Sequence, residues 1–209
     1  MSEAFNLETQ EEWTRLLLMS KFGIDEVETK LNIINDEYHF LHAYNPIEHI
    51  ISRNKSPQNI MEKLRRMGLE PTLENAKQHL NDIGGIRVIC SVIEDVYTIA
   101  EQLERQNDIT VLTVKDYIKH PKPNGYRSYH MIVEVPVFLT DRVTPVKIEV
   151  QIRTVAMDLW ASLEHKIYYK SGIQIPKELQ QEVKQVADAM AAIDQRLCSM
   201  KSEISKYTT

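Results

Sequence analysis

The sequence predicts one α/β or α+β domain, with a mixed sheet of four or five strands framed by a long helix at each end. Three observations support this prediction. Apolar residues recur at helical spacing near both termini, short β-branched runs lie between them, and 209 residues that are 43% hydrophobic suffice for one core. The two cysteines, Cys90 and Cys198, stand alone without zinc-type spacing, so we expect reduced thiols and a cytoplasmic protein.

Both terminal helices are predicted from stripes of apolar residues. The first covers roughly residues 8–42, and the last covers about 176–205. Their stripes consist of Leu17, Ile24, Val27, Leu31, Ile34, Tyr38 and Leu41, and of Leu179, Val183, Val186, Met190, Ile193, Leu197, Met200 and Ile204. Each stripe either packs on the core of its own domain or forms a self-association seam with heptad-like spacing.

Between them, local signals place the shorter elements in order. Ser56 as N-cap, Pro57 at the first helical position and Gly68 beyond the end predict a second helix. A third helix runs from Thr72 to about Leu80. The remaining predictions are strands at 86–92, 109–114, 129–137 and 146–152, helices at 94–106 and 154–170, and a Pro- and Gly-containing loop at 120–125.

Basic residues concentrate in the middle of an otherwise acidic chain. The net charge is −5 in total, −6 over residues 1–45, +1 over 46–170 and 0 over 171–209. These cations either form a solvated surface of mixed sign or hold phosphates in a cleft. The acidic total disfavours non-specific DNA binding, which depends on neutralising many phosphates.

Several function classes are excluded by missing patterns. No apolar run is long enough to cross a bilayer, and the acidic N-terminus lacks the basic start of a secretory signal. The chain contains neither a P-loop nor a Rossmann fingerprint.

Three groups of polar residues are candidates for chemistry. Lys147, Glu149, Gln151 and Arg153 alternate with apolar residues, so they share one strand face, either a plain solvent-facing surface or a site for a metal or a hydroxyl. Asp82 precedes the pair Gly84-Gly85 and Arg87, which fits either a capped turn or a nucleotide and Mg²⁺ site.

The third group lies where the predicted loop enters a strand. Tyr126 there can stack on a base, or it can pack as an apolar plug, and His130 can be an ordinary strand histidine.

Six motifs carry a family resemblance. They are Arg53-x-Lys55, Lys63-x-x-Arg66, Asp82-Ile-x-Gly-x-Arg87, Gly125-Tyr-Arg-Ser-Tyr-His130, Glu149-x-Gln-Ile-Arg153 and Trp160-Ala-x-x-Glu164-His165. In this order they resemble the synthetase domain of RelA/SpoT homologues, which make the alarmones ppGpp and pppGpp. The resemblance covers roughly residues 40–170, and the chain is similar to the small alarmone synthetases of the RelP/YwaC-like branch. Gly84 stands where relatives more often have Ala, and Asp158 where some have Asn. Because Asp158 falls near the region expected to frame the guanine, it leaves the preference for GDP or GTP open.

The resemblance implies a reaction and a role for each motif residue. The β,γ-pyrophosphate of ATP would pass to the 3′-hydroxyl of GDP or GTP with release of AMP, with Mg²⁺ as cofactor and without hydrolase activity. Glu149, as the base, and Asp82 would be catalytic and would both ligate the metal. The ATP-binding residues would be Arg53, Lys55, Lys63, Arg66 and Arg87, with the first and last on the two faces of adenine. The residues binding GDP or GTP would be Tyr126, Lys115, Lys122, His130, Gln151 and Arg153, with Tyr126 stacked on guanine.

The implied fold is nucleotidyltransferase-like, with about five strands and helices on both faces. Residues 1–45 would form a helical segment, 46–170 the synthetase domain and 171–209 a helix for assembly into a homotetramer. Two alternatives stay open: a nucleotidyltransferase that acts on RNA and releases pyrophosphate, and a catalytically silent regulator. The basic cluster alone cannot distinguish bound nucleotides from single-stranded RNA.

Overall fold

The computed structural model describes residues 2–164, 166 and 176–207. Its elements, in chain order, are α1 Ser2–Leu41, β1 Ile47–Asn54, α2 Pro57–Arg66, α3 Leu73–His79, β2 Gly84–Cys90, α4 Ile93–Glu104, β3 Thr110–Asp116, β4 Tyr129–Phe138, β5 Val143–Thr154, α5 Val155–Glu164 and α6 Lys177–Ile204. A single 3₁₀ turn, Ser205–Tyr207, follows α6. The predicted helix at 154–170 is confirmed as far as Glu164, and its remainder lies mostly outside the described residues.

The five strands form one mixed sheet in the order β1-β2-β5-β4-β3. Only β2 and β5 pair in parallel; the other three pairings are antiparallel. β2 and β5 therefore lie at the centre with their residues in register, Gly85 opposite Glu149 and Arg87 opposite Gln151. The predicted mixed sheet of about five strands is confirmed.

One face of this sheet carries the core. Alternate residues of β2, β4 and β5 point toward α1 and α4, and nearly all are fully buried because the strands keep a strict period of two. The buried residues of the two helices include Val27, Leu31, Ile99 and Leu103. The predicted stripe of α1 is thus largely core, although Leu41 at its end is exposed.

A smaller apolar cluster holds α2 and α3 against the first half of α1. Ile60, Leu64 and Leu80 are its buried centre, and Trp13 and Leu16 pack on it. The predicted signals of α2 are confirmed, because Ser56 accepts a hydrogen bond from the backbone N–H three residues on and Gly68 has a φ of +74° beyond the helix. Thr72, the predicted start of α3, caps that helix in the same way.

α6 has two different faces. Its inner face packs on α5 and α4, with Ala187 and Asp194 buried. Its outer face leaves most of the predicted stripe exposed: Leu179, Val186, Ile193, Leu197, Met200 and Ile204. We call these six residues the outer stripe.

The structure also shows the environment of the two cysteines and the apolar character of the helices. Cys90 is buried in the core and Cys198 is half-buried, and neither forms a disulfide. No helix among the residues that the structure describes combines the length and apolar character needed to cross a bilayer.

Candidate active site

The face of the sheet opposite the core carries polar residues in two rows across the strands. Directly paired residues of neighbouring strands point to the same side. Register places Arg87, Gln151, His130 and Lys115 in one row across β2, β5, β4 and β3. It places Arg53, Gly85 and Glu149 in the adjacent row across β1, β2 and β5. The predicted face of β5 is therefore joined by residues from three other motifs and by Lys115.

Asp82 lies at one end of this face, between β1 and α2. Lys55 donates a hydrogen bond of 2.7 Å to its Oδ2, and Lys63 donates to the same oxygen. Burial opposes ionisation of Asp82, but the two ammonium groups outweigh it, and its pKa lies below the usual value near 3.8. Burial in turn lowers the pKa of Lys55. The two lysines predicted to bind phosphates thus surround an ionised carboxylate.

Glu149 occupies the middle of the face. Gln151 donates to its Oε2 at 2.8 Å, and His130 Nδ1 lies 3.3 Å from its Oε1. Burial raises the pKa of Glu149, but these two partners outweigh burial, and the pKa is lowered. The carboxylate is therefore ionised at neutral pH, able to accept a proton or ligate a cation.

Arg153 is buried and contacts several residues of the predicted acceptor side. Its guanidinium donates to Ser128 Oγ at 3.3 Å, to Asp158 Oδ1 at 3.1 Å and to Gln151 Oε1 at 2.8 Å. A further hydrogen bond goes to the hydroxyl of Tyr126. Four acceptors from two elements and one loop fix the plane of this side chain.

Tyr126 is half-buried at the edge of the face. Its hydroxyl lies 2.8 Å from His130 Nε2, and its ring meets Tyr117 and Trp160 with centroids 5.9 and 6.2 Å apart. The cation of Lys122 lies 4.8 Å from the ring centre, and that of Arg153 lies 5.2 Å away. His130 thus contacts Tyr126 through Nε2 and Glu149 through Nδ1, which links the predicted acceptor side to the centre of the face.

Asp158 is a site residue for which the family resemblance predicted only a position near the guanine and no contact. Its Oδ1 accepts from Arg87 and from Arg153, both at 3.1 Å. It therefore bridges the predicted ATP side and the predicted acceptor side. Tyr117, which also contacts His130 with ring centroids 5.2 Å apart, was not found from the sequence. No local pattern identifies it, because its contacts are all made across the site.

Four predicted cations lie at the rim rather than in the centre. Arg53 is exposed at the end of β1, Arg66 on the last turn of α2, Lys115 on β3 and Lys122 in the loop before Tyr126. Lys147, the first residue of the predicted row on β5, is also exposed and lines a separate groove with Arg15 and Lys77.

Two buried polar atoms of this face have no hydrogen-bond partner. They are Asp82 Oδ1 and Arg87 Nε, two of the four such side-chain atoms in the described part of the chain. Buried polar atoms are nearly always paired, so these two point to a bound ligand that supplies a cation and an acceptor. No cluster of three His, Cys, Asp or Glu residues occurs among the described residues. Mg²⁺ needs only one or two carboxylates besides substrate phosphates, so Asp82 and Glu149 fit it.

Comparison with known proteins assigns the family. A family model described as a region found in RelA / SpoT proteins matches residues 52–174. The GTP pyrophosphokinase YwaC of Bacillus subtilis (strain 168) is 50% identical over 194 residues, which is 93% of this chain and 92% of that protein.

Solved structures agree with this result. Small alarmone synthetase 2 from Bacillus subtilis is 48% identical, with a TM-score of 0.81 over 90% of this chain and 97% of that one. Small alarmone synthetase 1 from Bacillus subtilis, bound to its product pppGpp, is 31% identical, with a TM-score of 0.86 over 93% and 99% of the two chains. A structure of the same protein bound to AMPCPP gives 29% identity and a TM-score of 0.80 over 94% and 99%. From the family match and these relatives, the chain belongs to the RelA/SpoT family.

Proposed function

We propose that the protein is a GTP pyrophosphokinase, an ATP:GTP 3′-diphosphotransferase that makes ppGpp or pppGpp. The 3′-oxygen of GDP or GTP forms a bond to the β-phosphorus of ATP while the bond from that phosphorus to the α–β bridging oxygen breaks. AMP leaves, and the hydroxyl proton passes to a base. Relatives named GTP pyrophosphokinase and a relative bound to pppGpp support this proposal.

The ATP side of the reaction is assigned to the end of the face near Asp82. Lys55 and Lys63 neutralise the phosphates, with Arg66 at the rim of the same helix. The guanidinium planes of Arg53 and Arg87 hold adenine, a contact for which planar, delocalised cations are suited. The complex of a relative with AMPCPP supports a nucleotide donor.

The acceptor side is assigned to the other end. Tyr126 stacks on guanine, and Lys115, Lys122 and His130 hold the 5′-phosphates, while Gln151 and Arg153 fix the positions of Glu149 and Tyr126. Lys122 lies 4.8 Å from the centre of the Tyr126 ring, so a base that stacks on that face would displace its ammonium group.

Glu149 is the proposed base. Its carboxylate lies on the sheet face between the ATP side and the acceptor side, and its lowered pKa keeps it ionised before any substrate binds. Asp82 and Glu149 would hold Mg²⁺, which supplies charge neutralisation for the pyrophosphate that is transferred. The remaining catalytic effect comes from holding two nucleotides in line among fixed charges, as in other phosphoryl transfers.

The observation that carries the proposal is the pair of unsatisfied atoms, Asp82 Oδ1 and Arg87 Nε, on the face that also holds ionised Glu149. An unpaired acceptor and an unpaired donor match a metal-bound nucleotide better than a solvated sheet surface.

Product identification tests it. The protein is incubated with ATP, Mg²⁺ and either GDP or GTP, and the products are separated by anion exchange and identified by mass. AMP together with a 3′-pyrophosphorylated guanosine nucleotide is expected. Release of pyrophosphate without AMP would assign a nucleotidyltransferase instead, and no turnover would leave a nucleotide-binding regulator.

We further propose a cytoplasmic homotetramer assembled through the terminal helices. The outer stripe of α6 is exposed and apolar at heptad-like spacing, which suits a second copy of the same helix. The stripe of α1 does not contribute in the same way, because Ile24, Val27, Leu31 and Ile34 are buried in the core of their own chain. Any share of α1 must come from its other, exposed face.

A further inference from the structure

We propose that α6 is the seat of the acceptor loop and that Arg127 is a positioning residue for Tyr126. The acceptor loop is defined as residues 120–128, between β3 and β4. This inference rests on the proposed function, because it assumes that Tyr126 binds the acceptor nucleotide. It assigns to the C-terminal helix a role in acceptor binding that is separate from assembly.

The first contact is between the backbone of the loop and a small side chain of α6. Gly125, directly before Tyr126, has a φ of +86° and lies against Ala187 of α6. A Cβ added at Gly125 would lie only 2.5 Å from Ala187 Cβ. The loop therefore needs glycine at 125 for two reasons, its backbone conformation and its approach to the helix. It equally needs a small residue at 187.

The second contact comes from Arg127, directly after Tyr126. Its guanidinium donates to the carbonyl of Gly125 at 3.2 Å, to the carbonyl of Ala187 at 3.4 Å and to Asp188 Oδ1 at 3.4 Å. One planar side chain thus joins the loop to two consecutive residues of α6. A lysine could not make these contacts together, because it is a point charge rather than a fork.

Two further hydrogen bonds connect α5 to α6 and to the loop. Trp160 of α5 donates from Nε1 to the carbonyl of Val183 at 3.2 Å, and its ring lies next to Tyr126. Asn124 of the loop donates to Glu164 Oε1 at 3.2 Å. Gly125 and Arg127, on the two sides of Tyr126, therefore both contact α6, and the Tyr126 ring contacts Trp160 of α5.

The consequence is a specific effect on one substrate. A shift of the loop away from α6 displaces Tyr126 and, through its hydroxyl, Arg153 and His130. The ATP side is held instead by the ion pairs of Asp82 with Lys55 and Lys63, and the Arg87–Asp158 ion pair that joins it to the acceptor side does not involve a residue of the loop. Loss of the seat should therefore weaken the acceptor and spare ATP.

The first test uses a matched pair of helix substitutions. Ala187→Val adds two methyl groups against Gly125, whereas Ala189→Val adds them to an exposed position of the same helix. Both carry the same loss of helix propensity. We expect Ala187→Val to raise the KM for GDP or GTP about tenfold or more, with the KM for ATP unchanged, and Ala189→Val to alter neither.

The second test uses Arg127. Arg127→Ala should raise the KM for the acceptor about tenfold, the effect of losing a charge-assisted contact, and Arg127→Lys should recover only part of it. The kcat at saturating acceptor, the oligomeric mass and the melting temperature are measured in parallel. A merely structural role would change melting temperature and both KM values together.

The outcomes separate this inference from the proposed function. If the unmodified protein makes no 3′-pyrophosphorylated product, the proposed function is wrong. If it is active and Ala187→Val or Arg127→Ala leaves the acceptor KM unchanged, or raises both KM values equally, the seat is not a positioning device and the inference is overturned.

Discussion

At the scale of single residues, Arg153 determines how the acceptor side is built. Its buried charge is tolerated because Asp158 supplies a counter-ion and because Tyr126, Gln151 and Ser128 accept hydrogen bonds from its other N–H groups. Arg87 shares the same Asp158 oxygen, and the nearby charge of Arg153 adds to burial in lowering the pKa of Arg87. One carboxylate thus holds two like charges together between the two nucleotide sites.

Tyr126 gives the sharpest residue-level prediction. Tyr126→Ala should weaken binding of GDP or GTP by about 1–3 kcal/mol if stacking is lost, with ATP binding unchanged. Tyr126→Phe keeps the ring but removes the hydroxyl that contacts His130 and Arg153. Titration calorimetry with each nucleotide separates the two effects. Equal losses for ATP and for the acceptor in the Ala variant would identify Tyr126 as an apolar plug.

Asp82 gives a prediction about pH. Its pKa is lowered in the folded protein, so its ionised form stabilises the fold above the usual value near 3.8. That stability is lost as the pH falls through the lowered pKa. Asp82→Asn should therefore cost about 3 kcal/mol at pH 7, because it leaves Lys55 buried without a carboxylate, and much less at an acid pH below the lowered pKa.

Asp108 is the matched control for this prediction. Its pKa is also lowered, by Lys30, but the pair is at the surface. Asp108→Asn should cost at most about 1 kcal/mol at pH 7. Urea unfolding at both pH values measures the differences. A cost of Asp82→Asn that is no larger than that of Asp108→Asn would contradict the ion-pair cluster.

At the scale of elements, the sequence predicted those that carry local signals. The cap residue and the proline after it placed α2 correctly, and strict alternation placed β5. β1 was not predicted. It is an edge strand with one buried residue, Ile47, so it lacks the alternation that a half-buried strand shows. Its pairing with β2 is visible only in three dimensions.

The same distinction holds for the site. Glu149 and Gln151 were placed together because they alternate on one strand, whereas the ion pair of Lys63 with Asp82 was not predicted. Asp158 lies far along the chain from Arg87, and Tyr117 meets His130 across a loop, so no period connects these residues. Contacts made by tertiary packing leave no local pattern, which is why the bridge between the two nucleotide sides appeared only in the structure.

At the scale of the whole molecule, assembly depends on which face of α6 is free. The prediction from sequence counted Met190 and Ile193 in one stripe, but the structure separates them. Met190 is half-buried and faces Gly125 and Trp160, whereas Ile193 is 56% exposed on the outer stripe. Substitutions at the two positions therefore test different properties.

The outer stripe is tested by charge. Ile193→Glu should dissociate the proposed homotetramer while leaving the fold intact, because the new carboxylate is solvated in the monomer. Met190→Glu should lower the melting temperature instead, since it places a carboxylate in an apolar contact. Light scattering at micromolar concentration and thermal unfolding measure both. A monomeric mass for the unmodified protein would contradict assembly through this stripe.

The central claim is that the polar face of the sheet carries the reaction, with Glu149 as its base, and Glu149→Gln tests it most directly. The substitution keeps size and hydrogen-bonding reach but removes the charge, and Glu134→Gln, also half-buried on the same face, is its control. We expect kcat to fall by about 10²–10⁴-fold in Glu149→Gln alone, with calorimetric affinities for ATP and GDP retained. Turnover near that of the unmodified protein in Glu149→Gln would contradict the account, because Glu149 would then be only a surface residue of the sheet.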